Sequence, residues 1–127
     1  MQKTYGLSSY ITINISSPNT KGLRDLQERK KLDQFLTKIC DQKRQLFNKT
    51  RKNIPIFLKI APDLTLNEQK NIAILVKNHQ IDALIIANTT ISRPLCLKSA
   101  NQNIAGGLSG KPLFDLSPAL LSVWLTY

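Results

Sequence analysis

The sequence is poor in several residue types whose presence would mark a common class of protein. Only two cysteines occur in 127 residues, Cys40 and Cys96, and they show neither CxxC nor Cys/His metal-ligand spacing. This excludes a disulfide scaffold, gives no sign of a metal site and favours a reducing compartment. The longest wholly apolar runs, such as Ala83–Ala87, are far shorter than the roughly 18 residues that span a bilayer, and the first residues hold no signal-peptide core. We therefore expect a soluble, cytoplasmic chain.

Acidic residues are scarce as well. Eight Asp and Glu stand against 18 Lys and Arg, which gives a net charge of +10, and eleven of the basic residues fall within residues 21–52. A solvated, lysine-rich helix face accounts for this pattern, and the alternative is a nucleic-acid surface. Because no RNA- or DNA-binding motif accompanies the charge, we expect no nucleic-acid partner. The remaining composition, 42% apolar and 20% charged, is that of one ordinary globular domain.

Hydrophobic patterning predicts three short strands. Residues 10–15 alternate β-branched and polar side chains. Residues 55–60 and 83–87 are nearly continuous apolar runs, of the kind that is buried on both faces of a sheet. Lys59 interrupts the second run and is its anomaly.

Helical spacing of apolar residues predicts amphipathic helices over Glu28–Phe47 and Leu66–Asn78. The second is opened by the capping-box sequence Thr65-Leu-Asn-Glu68. After a long loop to about Ser117, a last short helix is predicted over Leu116–Trp124. The resulting order, β-α-β-α-β-loop-α, indicates an α/β fold with parallel strands.

In such folds functional groups collect at the carboxyl ends of the strands, and each predicted strand ends in polar or charged residues. Lys59 either extends its ammonium group to solvent from the strand end, or pairs with a carboxylate such as Asp63, or stands against a bound anion, for example a flavin that becomes negatively charged on reduction. Asn14, Asn19 and Asn88 are either turn residues or donors and acceptors for a planar, amide-rich ligand.

The sole histidine, His79, is expected at the surface near the end of the second helix, away from this rim. A Ser/His arrangement for nucleophilic catalysis is therefore not expected.

Four segments, in order and at compatible spacings, resemble the signature motifs of the class 2, quinone-using dihydroorotate dehydrogenases. They are Asn14-Ile-Ser-Ser-Pro-Asn-Thr20 with Lys21-Gly-Leu-Arg24, Leu58-Lys-Ile-Ala-Pro-Asp63, Ala87-Asn-Thr-Thr-Ile-Ser-Arg93 and Gly106-Gly-Leu-Ser-Gly-Lys-Pro-Leu113. The resemblance covers about residues 8–117. It implies oxidation of dihydroorotate to orotate in pyrimidine biosynthesis, with FMN as hydride acceptor and a quinone as the final acceptor.

The resemblance also implies roles for individual residues. Ser17 corresponds to the base that takes a proton from substrate C5, and Thr20 to a threonine that helps relay this proton. Serine rather than cysteine at position 17 favours the class 2 assignment. The residues that correspond to the substrate-binding set are Asn14, Asn19, Asn88 and Thr89.

The same matching implies an FMN site. Lys59 would lie against the flavin and stabilise its reduced anion, Asn14 would touch the cofactor, and the backbone around Ala87 and Gly110 would contact it. The family usually has threonine at the position of Ala87. A contact through the backbone there loses little by this change, whereas a contact through the hydroxyl would lose one hydrogen bond.

The family fold is a (β/α)₈ TIM barrel, an architecture that typically needs about 250 residues. We interpret residues 1–127 as an incomplete FMN-binding barrel domain with about three central strands and a divergent tail at 118–127, produced by a frameshift, a split gene or a truncated chain. Such a fragment is expected to be inactive alone and to self-associate through exposed sheet edges, whereas the complete family enzyme is peripheral to the membrane. The alternative is a non-catalytic remnant or interaction module.

Overall fold

The computed structural model describes residues 1–20, 22–95, 97–114, 121, 122 and 124. Its strands are β1 (Ile11–Asn14), β2 (Ile56–Lys59) and β3 (Ala83–Ile85). Its helices are α1 (Arg29–Thr50), α2 (Leu66–Asn78) and α3 (Lys111–Phe114), with short 3₁₀ helices at Tyr5–Leu7 and Arg24–Gln27.

The three strands form one parallel sheet in the order β1-β2-β3. Asn14 lies opposite Lys59 across β1 and β2, and Lys59 lies opposite Ile85 across β2 and β3. The strands therefore end side by side, which confirms the predicted parallel α/β arrangement. Each strand is shorter than its predicted range. Beyond the strand ends the backbones are joined only by isolated hydrogen bonds, such as that from the Asn88 backbone amide to the Ile60 carbonyl at 3.0 Å.

One face of the sheet packs against α1 and α2. The core contains seven fully or almost fully buried apolar residues: Ile15, Leu32, Leu36, Leu58, Ile60, Ile72 and Leu75. The prediction that β2 and β3 are buried on both faces is wrong. Along β2, Ile56 and Leu58 are buried while Phe57 and Lys59 are half-buried, and all of β3 is half-buried. Alternate side chains of a strand point to opposite faces, so the second face carries Phe57, stacked on Tyr10 with ring centroids 4.7 Å apart, and Lys59.

The predicted helices are confirmed with small changes in their bounds. α1 begins one residue later and ends three residues later than expected, and α2 has the predicted bounds. Its capping box is complete, because the Thr65 hydroxyl accepts from the Glu68 amide and the Glu68 carboxylate accepts from the Thr65 amide.

The last predicted helix, Leu116–Trp124, falls mostly outside the described residues. The loop before it is shorter than expected, since α3 already begins at Lys111. Among the helices of the described ranges, none is long and apolar enough to cross a membrane. Within the same ranges β1 and β3 are the outer strands, and self-association through them stays a prediction.

The basic side chains of α1 mostly face solvent, as expected. Those exposed are Arg29, Lys30, Lys31, Lys38, Arg44 and Lys49. His79 lies away from the carboxyl ends of the strands, as predicted, but it is not a free surface residue. Its Nε2 is 2.7 Å from a carboxylate oxygen of Asp33, and its side chain is only 17% exposed because α1 and α2 pack together there.

Candidate functional site

The carboxyl ends of the strands bring three of the predicted site residues to one edge of the sheet. Asn14 and Lys59 are the last residues of β1 and β2, and they are paired in the register of these adjacent strands. Asn88 follows β3, and its amide donates to the carbonyl of Ile60 just beyond β2. These side chains converge because parallel strands deliver all their carboxyl ends to the same edge.

A buried hydroxyl that the sequence analysis did not single out joins two of these amides. Ser16 is fully buried, and its hydroxyl donates to Asn14 Oδ1 at 2.6 Å and accepts from Asn88 Nδ2 at 2.9 Å. The backbone amide of Ser16 also donates to Asn14 Oδ1 at 3.1 Å. The Asn14–Ser16–Asn88 bridge thus connects the ends of the two outer strands across β2.

The bridge fixes which way each amide faces. Backbone N–H groups can only donate, so the Asn14 atom facing the Ser16 amide is the carbonyl oxygen, and the Asn88 atom facing the Thr89 amide at 2.8 Å is also oxygen. Among the described residues, both N–H groups of Asn14 Nδ2 and one of Asn88 Nδ2 have no acceptor. The edge is therefore rich in donors and suits a ligand that presents carbonyl or carboxylate oxygens.

Lys59 adds a positive charge to this edge. Its alternative role as a partner of Asp63 is wrong, because Asp63 is bound by Arg24 instead. Among the described residues the Lys59 ammonium group has no hydrogen-bond or ion-pair partner, although the side chain is half-buried on the open face of the sheet. An unpartnered cation held there is suited to an anionic ligand.

Ser17, Asn19 and Thr20 lie in the loop that follows β1. The Ser17 hydroxyl accepts a hydrogen bond from the Asn19 amide at 3.3 Å, and Ser17 is half-buried while Asn19 and Thr20 are exposed. Within the described ranges the Thr20 hydroxyl has no partner. The loop places Ser17 beside the bridge, but no bond between Ser17 and Thr20 is present.

The remaining predicted positions lie along the segment after β3. The backbone of Thr90 pairs with Leu108 through two hydrogen bonds of 2.7 and 3.0 Å, which returns the glycine-rich loop to the strand end. Gly110 follows with a φ of 81°, a conformation that favours glycine. Ala87 is half-buried and precedes Asn88 directly. An open cleft of about 680 Å³ lies beside Gly110 and is lined by Ile86, Ser109, Gly110, Lys111, Leu113, Phe114 and Leu121.

Arg24 and Asp63 form a second polar group at this edge that sequence reasoning missed. Their charged groups are 2.8 Å apart, with side chains 20% and 14% exposed. Arg24 was counted with the solvated basic face, and that is wrong for this residue, because a 3₁₀ turn before α1 directs it toward the strand ends. Its position in the first signature segment was the one available signal.

Burial alone would raise the pKa of Asp63, but hydrogen bonds from Thr90, Ile91 and Arg24, together with the charge of Arg24, lower it below its ordinary value. The unfolded chain therefore takes up this proton at a higher pH than the folded chain. The stabilisation is fully present above the unfolded pKa, roughly 3.9, and is lost as the pH falls through the folded value.

We expect Asp63→Asn to lower the free energy of unfolding at pH 7 by about 1.5–3 kcal/mol, the range for losing a hydrogen bond to a charged group. The variant should also lose less stability between pH 5 and 2 than the unsubstituted chain. Urea unfolding followed by circular dichroism across that pH range measures both effects. Asp82→Asn, which removes another carboxyl with a lowered pKa, is the control at the far end of the strands. An unchanged acid dependence in Asp63→Asn would contradict the assignment.

Comparison with known proteins decides the family. The family model for dihydroorotate dehydrogenase matches residues 1–125. The chain belongs to the dihydroorotate dehydrogenase family. It is 48% identical to a dihydroorotate dehydrogenase (quinone) of Agrobacterium fabrum over 118 residues, which are 93% of this chain and 32% of the relative. It is 47% identical to the enzyme of the same name from Coxiella burnetii, over 91% of this chain and 33% of the relative.

Solved structures agree with this assignment. A crystal structure of DHODH from Eimeria tenella in complex with ferulenol matches with a TM-score of 0.91 and 36% identity, over 98% of this chain and 37% of that chain. The ligand-free form matches with a TM-score of 0.88. The three strands are thus part of the TIM barrel of dihydroorotate dehydrogenases, and the chain spans about a third of the length of the curated relatives that it matches.

Membership in the dihydroorotate dehydrogenase family explains the open face of the sheet. In a closed (β/α)₈ barrel the helices cover the outer face, and the inner face is filled by side chains of the other strands. The face that packs against α1 and α2 is the outer one, so Asn14, Phe57 and Lys59 lie on the inner one. Phe57 and Lys59 are half-buried and Asn14 is exposed, as follows from their position on the inner face.

Proposed function

We propose that this chain provides the central, substrate-binding part of a quinone-dependent dihydroorotate dehydrogenase, which oxidises dihydroorotate to orotate with FMN. In this reaction substrate C5 loses a proton and C6 loses a hydride, so a double bond forms between them. The observation that carries the proposal is the Asn14–Ser16–Asn88 bridge beside Lys59, whose ammonium group has no partner in the described ranges. It supplies oriented donors and a cation at the edge where TIM-barrel enzymes act.

The donor-rich edge supports a role in binding dihydroorotate. The substrate carries a carboxylate and two ring carbonyls, and these acceptors complement the free N–H groups of Asn14 and Asn88. The backbone amide of Thr89 donates to Asn88 Oδ1 and so orients the two residues relative to each other. The Thr89 hydroxyl would add a further contact to the substrate. Asn19, exposed on the loop after β1, would complete the set from the opposite side.

Ser17 is the proposed base for the C5 proton. It is three residues beyond the end of β1 and next to the buried Ser16, which fixes the start of its loop against both asparagines. Within the part of the chain that the structure describes, its hydroxyl accepts from the Asn19 amide and donates to no acceptor, so its own proton is free to be passed on. Thr20 is the candidate to receive that proton, since its hydroxyl has no partner within the described part of the chain.

The residues present fit FMN. The half-buried ammonium group of Lys59, which has no partner among the described residues, suits a ring system that gains negative charge. Lys59 and Asn14 would hold the ring system, and the backbone at Ala87 and Gly110 would contact the cofactor. When bound, FMN accepts the hydride from substrate C6. A quinone would then reoxidise the cofactor, which places the complete enzyme at a membrane surface.

The test of this function uses a closed barrel. In what we call the barrel chimera, residues 1–114 of this chain replace the matching third of the Agrobacterium fabrum relative. The chimera should bind FMN and show bleaching of its flavin absorbance on addition of dihydroorotate. A folded, FMN-loaded chimera whose flavin is not reduced by dihydroorotate would contradict the proposed function and favour a non-catalytic role.

The 127-residue chain alone should bind FMN weakly, with a dissociation constant above about 100 μM. Phosphate sites of TIM barrels are usually built from the loops after strands 7 and 8, and each charge-assisted hydrogen bond missing from such a site is worth roughly 1.5–3 kcal/mol. Lys59→Met should weaken binding further, while Lys70→Met, which changes an exposed lysine of α2, should not. Quenching of flavin fluorescence measures the dissociation constant of FMN for the chain and for both variants. A yellow, stoichiometric complex after purification of the chain would contradict this expectation.

A further inference from the structure

Arg24 contacts all three loops that follow the strands. Its Nε donates to the carbonyl of Ser16 at 3.1 Å, in the loop after β1. One terminal nitrogen donates to Asp63 at 2.8 Å, after β2, and the other donates to the carbonyl of Thr89 at 3.1 Å, after β3. A single side chain therefore ties the three loops of the candidate site together.

Asp63 completes this connection from the middle strand. One carboxylate oxygen accepts from the Thr90 and Ser92 hydroxyls, and the other accepts from Arg24 and from the Ile91 amide. Thr90 is fully buried. The four hydrogen bonds that the Asp63 carboxylate accepts from described residues thus all come from Arg24 and from the segment after β3.

The backbone groups that Arg24 holds belong to, or adjoin, the candidate site. The carbonyl of Ser16 is on the peptide bond that leads into Ser17, and the carbonyl of Thr89 belongs to a candidate substrate-binding residue. A guanidinium group has five N–H donors in one rigid plane, which is what three simultaneous contacts in fixed directions require. A lysine in its place could satisfy only one or two of them.

We propose that Arg24 and Asp63 act as a positioning pair, which fixes the candidate base Ser17 relative to the substrate-binding residues Asn88 and Thr89. This inference rests on the proposed function. Neither residue needs to touch the substrate. Neither Arg24 nor Asp63 belongs to the Asn14–Ser16–Asn88 bridge, so loss of the pair should disturb the alignment of Ser17 more than it weakens substrate binding.

The chain offers a matched control for general loss of stability. Lys43 and Asp82 form an ion pair of the same 2.8 Å length, and Lys43 is 20% exposed like Arg24. Asp82 immediately precedes β3 and accepts from the Ile56 amide at the start of β2, so this pair lies at the opposite end of the strands. Lys43→Met removes an ion pair without changing the candidate site.

The experiment compares Arg24→Met, Arg24→Lys and Lys43→Met in the barrel chimera by stopped-flow bleaching of the flavin. We expect Arg24→Met to slow flavin reduction at saturating dihydroorotate by about 10²-fold, the usual cost of a misplacement near 1 Å. The dissociation constant for orotate should change only a few-fold, and Arg24→Lys should recover part of the rate. Lys43→Met should reduce flavin within about threefold of the parent rate. Equal rates for Arg24→Met and Lys43→Met would overturn the inference.

A second measurement does not depend on activity. In the 127-residue chain, amide hydrogen exchange in residues 16–20 and 88–91 should be faster in Arg24→Met and Asp63→Asn than in Lys43→Met. Unchanged exchange in these segments would overturn the positioning role even if the chimera were inactive. Failure of the parent chimera to reduce its flavin would instead count against the proposed function, so the two failures are distinguishable. If Arg24→Met does not fold, the same measurements are made on Asp63→Asn and Arg24→Lys.

Discussion

Replacing Ser17 with alanine in the barrel chimera should slow reduction of the flavin by dihydroorotate about 10²–10⁴-fold, the usual contribution of a general base. The affinity for orotate should stay within a few-fold of the parent value. The reason is structural, since the Asn14–Ser16–Asn88 bridge and Lys59 make no contact with the Ser17 hydroxyl, which among the described residues is bonded to the Asn19 amide alone. Stopped-flow absorbance measures the rate, and titration with orotate measures the affinity.

Cysteine at position 17 distinguishes loss of the base from loss of packing. Ser17→Cys should retain more activity than Ser17→Ala because a thiolate can accept the proton. Its pH optimum should move upward if the thiol keeps a pKa near 8.5, the ordinary value for cysteine. Ser9→Ala, an exposed serine outside the site, is the control for removing a hydroxyl. An alanine variant at position 17 that reduces flavin at the parent rate would show that Ser17 is not the base.

The fold could be predicted from the sequence where one local pattern decided the outcome. α2 has the predicted bounds because Thr65 and Glu68 close a capping box that depends only on residues three apart. The strands were located but their burial was misjudged. An apolar run such as that of β3 is equally compatible with an outer and an inner barrel face, and only the other strands of the barrel distinguish a covered face from an open one.

The candidate site was predicted as a set of residues but not as a network. Asn14, Lys59 and Asn88 were found from their places at strand ends, which parallel topology brings together. Ser16 and Arg24 were missed because their roles depend on contacts with residues far away in the sequence. The Ser16 hydroxyl reaches Asn88, 72 residues away, and the guanidinium group of Arg24 reaches Thr89, 65 residues away. Both residues lie in the first signature segment, but their local sequence does not indicate which distant residues they contact.

Gly107 is the glycine at which an added methyl group would collide with its neighbours. A Cβ atom built on Gly107 would lie 2.6 Å from Cβ of Thr89, and Oγ1 of Thr89 would be closer still. A change of the Thr89 rotamer cannot relieve the contact with its Cβ, so the backbone must move. The neighbouring Thr90–Leu108 pairing resists that movement through two hydrogen bonds.

Gly107→Ala should therefore displace Thr89, whose carbonyl is held by Arg24 and whose amide is held by Asn88. In the barrel chimera we expect kcat/KM for dihydroorotate to fall by about 10²-fold or more and the free energy of unfolding to fall by about 1–3 kcal/mol, the typical cost of overpacking. Gly6→Ala is the matched control, because a Cβ there meets nothing within 4 Å, and it should be close to neutral.

A double variant isolates the cause of the Gly107 effect. Thr89→Gly removes the atoms that the new methyl group would strike, so Gly107→Ala combined with Thr89→Gly should be more stable than the sum of the two single changes predicts. Activity should not return, since the candidate substrate contact of Thr89 is absent in the double variant. Additive losses of stability would mean that the collision is relieved elsewhere, and a Gly107→Ala chimera with parent kinetics would show that the position of Thr89 does not matter for the reaction.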